Sequence, residues 1–147
     1  MENKITISEA KSIISISNYL DICKHDLLEN IQNKETNFEV DNYTFLTEEE
    51  AIKEVVNMYE CDEYLLGSFY ASFIDDYIFL DIDDIIALQE AEQYQVIGKL
   101  IINSGKINEM MEEYIRLDGY GHALNSYDGN YEEFNINNID YIVYRNN

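Results

Sequence analysis

Tryptophan and proline are absent from the sequence, and cysteine occurs only twice among its 147 residues. Two cysteines are too few for a disulfide framework, so the sequence predicts reduced thiols rather than a disulfide-rich secreted domain. The first residues contain no apolar stretch typical of a secretion signal. The apolar runs fall well short of the ~20 residues that a membrane helix needs. We therefore expect a soluble intracellular protein.

Basic residues are also scarce. Nine Lys and Arg stand against 30 Asp and Glu, which gives a formal net charge of −21. Disorder is not expected, because hydrophobic residues make up 46% of the chain and the aromatic residues include 13 Tyr and 6 Phe. Self-repulsion among the carboxylates destabilises a compact state, which suggests that the charge has a use. Such a surface repels nucleic acid and anionic membranes, so the expected partners are basic surfaces, above all those of nucleic-acid-binding proteins.

The acidity is concentrated in the middle of the sequence. Residues 39–92 carry 16 acidic residues and one basic residue, Lys53. Residues 1–38 carry six acids and four bases, and residues 93–147 carry eight acids and four bases. A solvated face normally mixes both signs, and like charges four apart on a helix cost a few tenths of a kcal/mol each. The pattern favours a specific basic partner over the alternative of an acidic surface without one.

The apolar pattern predicts a single α+β domain over residues 1–147, mainly helical, with an acidic helical middle at 39–92 and a helix followed by an antiparallel β-hairpin at 104–147. Predicted helices cover about 8 or 17 to 33, 48–59, 62–74, 83–88 and 107–118. Residues 94–102 fit a helix or a strand, with the helix favoured. Residues 77–82 fit a buried strand or a bridge between helices.

Turn and capping residues support these boundaries. Asp41–Asn42 is a tight-turn signal that fits a small hairpin over residues 37–46 or a single strand there, and Asn137–Asn138 is a second turn signal. Thr47 and Asp62 are candidate N-caps, and either Asp81 or Asp83 starts the next helix. Gly119 is the expected C-cap of the helix before it.

Motifs for catalysis and metal binding are weak. A calcium loop starting at Asp81 fails, because Ile85 and Ile86 stand where the loop needs an oxygen ligand and a glycine. A looser Mg²⁺ or Ca²⁺ site among the neighbouring aspartates stays open as an alternative. The segment 117–129 holds three glycines and His122, a composition seen in binding loops, but turn formation explains the glycines equally well. We predict no catalytic residue, no bound metal and no cofactor.

Two segments combine high acidity with tyrosine and almost no lysine: TEEEAIKEVVNMYECDEYLL at 47–66 and DDYIFLDIDD at 75–84. In this character they resemble the acidic DNA-mimic inhibitors of phages and conjugative elements, which include antirestriction and anti-CRISPR proteins. The resemblance covers only this part of the chain and includes no diagnostic motif. It implies a stoichiometric inhibitor in the host cytoplasm, not an enzyme, that occupies the nucleic-acid groove of a CRISPR effector or restriction enzyme.

We predict that ten acids and two tyrosines of the middle segment contact this basic partner. They are Glu48, Glu49, Glu50, Glu54, Tyr59, Asp62, Glu63, Tyr64, Asp75, Asp76, Asp83 and Asp84. The protein itself is expected to bind neither nucleic acid nor membrane, and to be a monomer or a homodimer. Two alternatives stay open: an immunity protein for a nuclease toxin, and a small ligand-binding or enzymatic domain that uses the 117–129 loop.

Overall fold

The computed structural model of the protein describes residues 5–147, which fall into two units. Unit 1 comprises the chain up to Ala51 together with Tyr120–Asn147, and unit 2 comprises Ile52–Gly119. Along the sequence, unit 2 is therefore inserted into unit 1. The predicted α+β, mainly helical class is confirmed, and a single domain over residues 1–147 stays a prediction.

Helices and two pairs of strands make up most of the described chain. In chain order they are α1 (Ile7–Leu20), α2 (Lys24–Gln32), β1 (Asn37–Val40), β2 (Tyr43–Thr47), α3 (Glu48–Glu60), α4 (Glu63–Leu66), α5 (Ala71–Ile74), α6 (Ile82–Glu90), α7 (Tyr94–Asn103), α8 (Ile107–Asp118), α9 (Gly121–Leu124), β3 (Glu132–Ile136) and β4 (Ile139–Arg145). Helix α3 begins in unit 1 and continues into unit 2.

The sheet of unit 1 is antiparallel, with the strand order β1-β2-β4-β3. The predicted C-terminal hairpin is confirmed, and of the two alternatives for residues 37–46 the hairpin is the one that forms. Asp41 has a φ of 52°, and Asn137 and Asn138 have φ values of 53° and 66°, which are the positive angles that two-residue hairpin turns require. The two hairpins are joined through β2 and β4, where Phe45 pairs with Val143.

The core of unit 1 is built where the sheet meets α1 and α2. Phe45 and Leu27 are fully buried. The rings of Phe38 and Phe45 stack with their centroids 5.0 Å apart. The centre of the sheet is therefore anchored by one large aromatic side chain.

The predicted single helix up to Asn33 is wrong, because the chain turns after Leu20. Asp21 adopts the left-handed conformation with a φ of 56°, which aspartate tolerates better than most residues. The amide of Cys23 donates to the carboxylate of Asp41 at 2.9 Å. Cys23 is consequently exposed.

Unit 2 is organised around a close approach of α4 and α7. A Cβ added to Gly98 would collide with the backbone of Glu63, and a Cβ added to Gly67 would collide with the carbonyl of Tyr94. Glycine at both positions therefore lets the two backbones touch. The predicted helix over 94–102 is confirmed as α7.

The predicted helix over 62–74 is wrong in extent, since it breaks after Leu66 into α4 and α5. The side-chain amide of Gln89 donates to the carbonyls of Gly67 and Phe69 at 3.1 and 2.8 Å. These carbonyls would accept intrahelical bonds in a longer helix, so Gln89 stabilises the break. Leu65 is 40% exposed.

The connection between α5 and α6 settles the alternative for residues 77–82. Residues 77–80 form turns and bends, and Ile82 already begins α6, so no strand forms there. Phe79 is fully exposed. The interpretation as a bridge between helices is confirmed. Among the residues from 5 onward, no helix has the length and apolar composition needed to cross a membrane.

Candidate functional site

The first turn of α3 carries the predicted contacts Glu48, Glu49 and Glu50. Glu48 and Glu49 are exposed, and Glu50 is half-buried. The amide of Glu50 lies 3.4 Å from the hydroxyl oxygen of Thr47, a long form of the predicted cap. Carboxylates at this end of a helix interact favourably with its dipole. These glutamates therefore stabilise the start of α3 as well as adding surface charge.

The predicted contacts of unit 2 begin with Glu54, Asp62 and Glu63. Glu54 is exposed on α3. Asp62 caps α4 as predicted, because its carboxylate accepts a hydrogen bond from the amide of Leu65 at 3.0 Å. A carboxylate oxygen of the half-buried Glu63 lies 4.0 Å from the ammonium nitrogen of Lys99. Asp62 is thus partly committed to local structure, whereas Glu54 projects into solvent.

The second group of predicted contacts follows α5. Asp75 is half-buried at the end of that helix, and Asp76 is exposed. Asp83 and Asp84 are exposed in the first turn of α6. The N-cap of α6 is Asp81, whose carboxylate accepts from the amide of Asp84 at 2.9 Å. Of the two capping candidates that the sequence allowed, Asp81 is the one used.

The two predicted aromatic contacts have different environments. Tyr64 is 55% exposed, and its ring centroid lies 4.9 Å from that of Tyr94. Tyr59 is only 7% exposed, because its ring packs against Phe69 and Tyr114 with centroids 5.3 and 5.6 Å away. The prediction that Tyr59 contacts a partner is therefore wrong: it is a core residue of unit 2.

The fold distributes the negative charge more widely than the sequence pattern suggested. Unit 1 contains fifteen acids and five bases, and unit 2 contains fifteen acids and four bases. No Lys, Arg or His occurs from Glu54 to Gly98. Of the bases in unit 2, Lys99 lies near Glu63, and Arg116 donates to both carboxylate oxygens of Glu113 at 2.8 and 2.5 Å. Most carboxylates of unit 2 therefore have no basic residue in the unit to neutralise them.

Aromatic rings form a connected cluster in unit 2. The centroid of Phe69 lies 5.1 Å from that of Tyr114 and 5.5 Å from that of Phe73. Burial, a hydrogen bond with Tyr59 and the charge of Asp118 raise the pKa of Tyr114 well above its usual range. The cluster thus forms an apolar wall in unit 2.

Two open grooves adjoin the cluster and share Phe69, Tyr70 and Ser72 in their linings. The first groove has a volume of about 510 Å³ and is also lined by Phe73, Tyr114, Leu117 and Asp118. The second groove has a volume of about 380 Å³ and is also lined by Ala71, Ile82, Ile86, Gln89 and Tyr94.

Sequence reasoning missed both grooves. Phe69 and Phe73 lie four residues apart in the predicted helix over 62–74, a spacing that favours burial of both in the core. The available signal for Tyr70 was its place among the acids, because tyrosine is favoured at protein interfaces.

Hydrogen bonds of one buried side chain, Asn125, organise the 117–129 loop. The buried side chain of Asn125 donates to the carboxylate of Asp128 and to the carbonyl of Asn130, both at 2.6 Å, and its oxygen accepts from the amide of Tyr127 at 2.9 Å. A Cβ on Gly121 would collide with the carbonyl of a residue later in the same loop. The segment is therefore the short helix α9 followed by turns, and Gly121 lies in α9 and not in a turn.

We expect Asn125→Ala to lower the free energy of unfolding by about 2–3 kcal/mol, because it leaves several buried or half-buried polar groups without their partner. Chemical denaturation would measure the loss. Asn130→Ala is the matched control: its side chain is exposed and only its backbone carbonyl takes part. Equal losses in the two variants would contradict the central role of Asn125.

The cation site weighed among the aspartates near α6 has no support. Within residues 5–147, no three His, Cys, Asp or Glu side chains are grouped as metal ligands. Cys23 and Cys61 are both free and exposed.

No family model matches the sequence, and comparisons with the curated proteins and with the solved structures found no match.

Proposed function

We propose that the protein is a stoichiometric inhibitor that blocks the nucleic-acid-binding groove of a host defence nuclease, either a CRISPR effector or a restriction enzyme. It acts in the host cytoplasm through its acidic surface and needs no catalytic residue and no cofactor. The predicted contacts apart from Tyr59 carry the binding, with Tyr64 as the aromatic member.

The observation that carries this proposal is the base-free segment from Glu54 to Gly98. Its exposed acids include Glu54 on α3, Asp84 on α6 and Asp76 in the turn after α5. A disordered acidic tail would lose conformational entropy on binding, whereas a packed helix that carries the charges loses little. The helices thus present a preorganised anionic surface.

The spacing of Glu50 and Glu54, four residues apart on α3, supports mimicry of a nucleic-acid backbone. Each DNA strand carries one phosphate per roughly 3.4 Å of helix axis. Helical residues four apart rise about 6 Å, close to the span of two phosphates. A basic groove built for phosphates can therefore meet carboxylates at similar intervals.

A panel of purified nucleases tests the proposal. It contains CRISPR effectors, restriction enzymes and the nuclease domain of a secreted toxin, each assayed for cleavage of its DNA with increasing amounts of the protein. We expect inhibition of at least one defence nuclease at a near 1:1 ratio, with DNA displaced from it. Binding should weaken about tenfold or more between about 0.05 and 0.5 M NaCl, because the attraction is electrostatic.

Matched charge variants identify the surface. Glu54→Gln, Asp76→Asn and Asp83→Asn together should weaken the inhibitory binding about tenfold or more. The control removes three charges from unit 1: Glu29→Gln, Glu35→Gln and Glu133→Gln.

Four outcomes would contradict the proposal, and the first is that no nuclease of the panel is inhibited. Equal effects of the two triple variants would show that net charge alone matters, and salt-independent binding would exclude mimicry. Inhibition restricted to the toxin nuclease would replace the anti-defence function by immunity.

A further inference from the structure

An exposed aromatic and aliphatic surface surrounds Tyr70 in unit 2. Tyr70 is 85% exposed and Leu117 is 62% exposed. Ile82 and Ile86, in the lining of the second groove, are 39% and 38% exposed. Exposed apolar residues are ordinary when scattered, but a group that lines adjoining grooves is typical of a protein-interaction site. We name the first and second grooves together the Tyr70 surface.

The grooves have the size and rigidity of binding sites. Their volumes of about 510 and 380 Å³ lie within the range of about 300–1,000 Å³ that is common for ligand pockets. The wall that they share contains Phe69, whose ring is held between those of Phe73 and Tyr114. The amide of Gln89 fixes the carbonyl of Phe69 at 2.8 Å. A side chain that enters thus meets a wall that is already ordered.

The charge around these grooves selects the occupant. Asp118 lines the first groove. The ring centroid of Tyr77 lies 5.7 Å from that of Phe73, which lines the same groove. Burial raises the pKa of Tyr77 most, and the negative charges of Glu113 and Asp76 raise it further.

Arg116 carries a positive charge near these carboxylates, and it is paired with Glu113. Around the second groove, Asp81, Asp83 and Asp84 flank Ile82 along the chain. The surroundings of both grooves are therefore negative.

This charge excludes several occupants. Nucleic acid and anionic lipid carry the same sign as the rim, and a second copy of the chain carries −21. A basic protein segment is attracted instead. Its aliphatic or aromatic side chains fill the grooves, and an Arg or Lys lies over an aromatic face or near Asp118, where cation–π attraction adds to the ion pair.

We infer that the Tyr70 surface is the apolar anchor of the interface with the basic partner, and that it takes a segment of that partner in which Arg or Lys alternates with large apolar residues. The inference rests on the proposed function for the identity of the partner. The anchor supplies the part of the affinity that salt does not screen, as buried aromatic hot spots do in protein interfaces.

A peptide experiment tests the surface without the nuclease. The probes are an eight-residue peptide in which Arg alternates with Leu and Trp, the same peptide with Glu in place of each Arg, and octalysine. Chemical shifts of the full-length protein are followed during titration. The Arg peptide should shift resonances of Phe69, Tyr70, Phe73 and Tyr114, and the Glu peptide should not.

Variants then separate the anchor from the general charge. Tyr70→Ala with Leu117→Ala should weaken binding of the Arg peptide at least tenfold and leave octalysine binding unchanged within twofold. Phe79→Ala is the matched control, because Phe79 is a fully exposed aromatic residue of the same unit that lines neither groove. Binding of the Arg peptide that is unaffected by the double variant, or equal binding of the Glu peptide, would overturn the inference.

Inhibition assays of a nuclease with the double variant distinguish a failure of the inferred anchor from a failure of the proposed function. If a nuclease is inhibited, the double variant should weaken that inhibition at least tenfold at 0.5 M NaCl, and an unchanged value would overturn the anchor while leaving the inhibitory function in place. If no nuclease is inhibited, the proposed function fails, and the peptide titration alone decides whether the Tyr70 surface binds basic apolar segments.

Discussion

Replacing Gly98 with alanine is expected to lower the free energy of unfolding by about 3 kcal/mol, at the upper end of the cost of overpacking. In an ordinary helix interior the same change adds about 1 kcal/mol of stability. The sign reverses here because the new Cβ would collide with backbone atoms of Glu63. A backbone cannot swing aside as a flexible side chain can, so α4 and α7 must separate.

Thermal or urea unfolding of the variant measures the loss, and hydrogen exchange should locate it in unit 2. Gly67→Ala should act in the same direction, because its Cβ would collide with the carbonyl of Tyr94. The control is Gly105→Ala, which meets no atom but has a φ of 74° and should cost only about 1–2 kcal/mol of left-handed strain. A stabilised Gly98→Ala protein would show that the two helices are not in backbone contact.

Phe45→Ala should cost about 3–5 kcal/mol, the usual loss when a fully buried phenylalanine is truncated. Phe45 is completely buried at the centre of the sheet and stacks on Phe38. The substitution removes both the buried area and the ring contact, and the paired strands limit how far the neighbours can collapse into the space. Denaturant unfolding followed by circular dichroism measures the change.

The chain offers an exposed counterpart for this test. Phe79→Ala makes the same chemical change at a fully exposed position, so it should alter the stability by no more than about 0.5 kcal/mol. If the two variants were equally stable, Phe45 would not occupy the core of unit 1.

Local chemistry predicted much of the fold. The turn at Asn137–Asn138 and the caps at Asp62 and Gly119 each depend on neighbours within four residues, so the sequence was sufficient to place them. The break at Asp21 was missed because the apolar stripe continues through it. The helix ends at Leu66 because Gln89, which is distant in the sequence, donates hydrogen bonds to carbonyls just after it.

The candidate site was predictable only in part. Composition showed the acidic residues, and most of the predicted carboxylates are exposed. Tyr59 was predicted to contact the partner, although its ring belongs to an aromatic cluster that distant residues complete, Tyr114 among them. The grooves beside Tyr70 arise from the packing of separate helices. The residues that line these grooves do not recur at a regular spacing in the sequence, so periodicity could not reveal the grooves.

The discontinuity of unit 1 has a consequence for the order of events during synthesis. Strand β2 leaves the ribosome early, but its partner β4 follows only after the whole of unit 2 has been made. Phe45 must therefore wait for Val143, while unit 2 is compact and continuous in sequence over Ile52–Gly119. Closing so long a loop is slow compared with forming local helical contacts. Unit 2 can thus fold first on the nascent chain, and the first hairpin stays an open sheet edge until the last strand arrives.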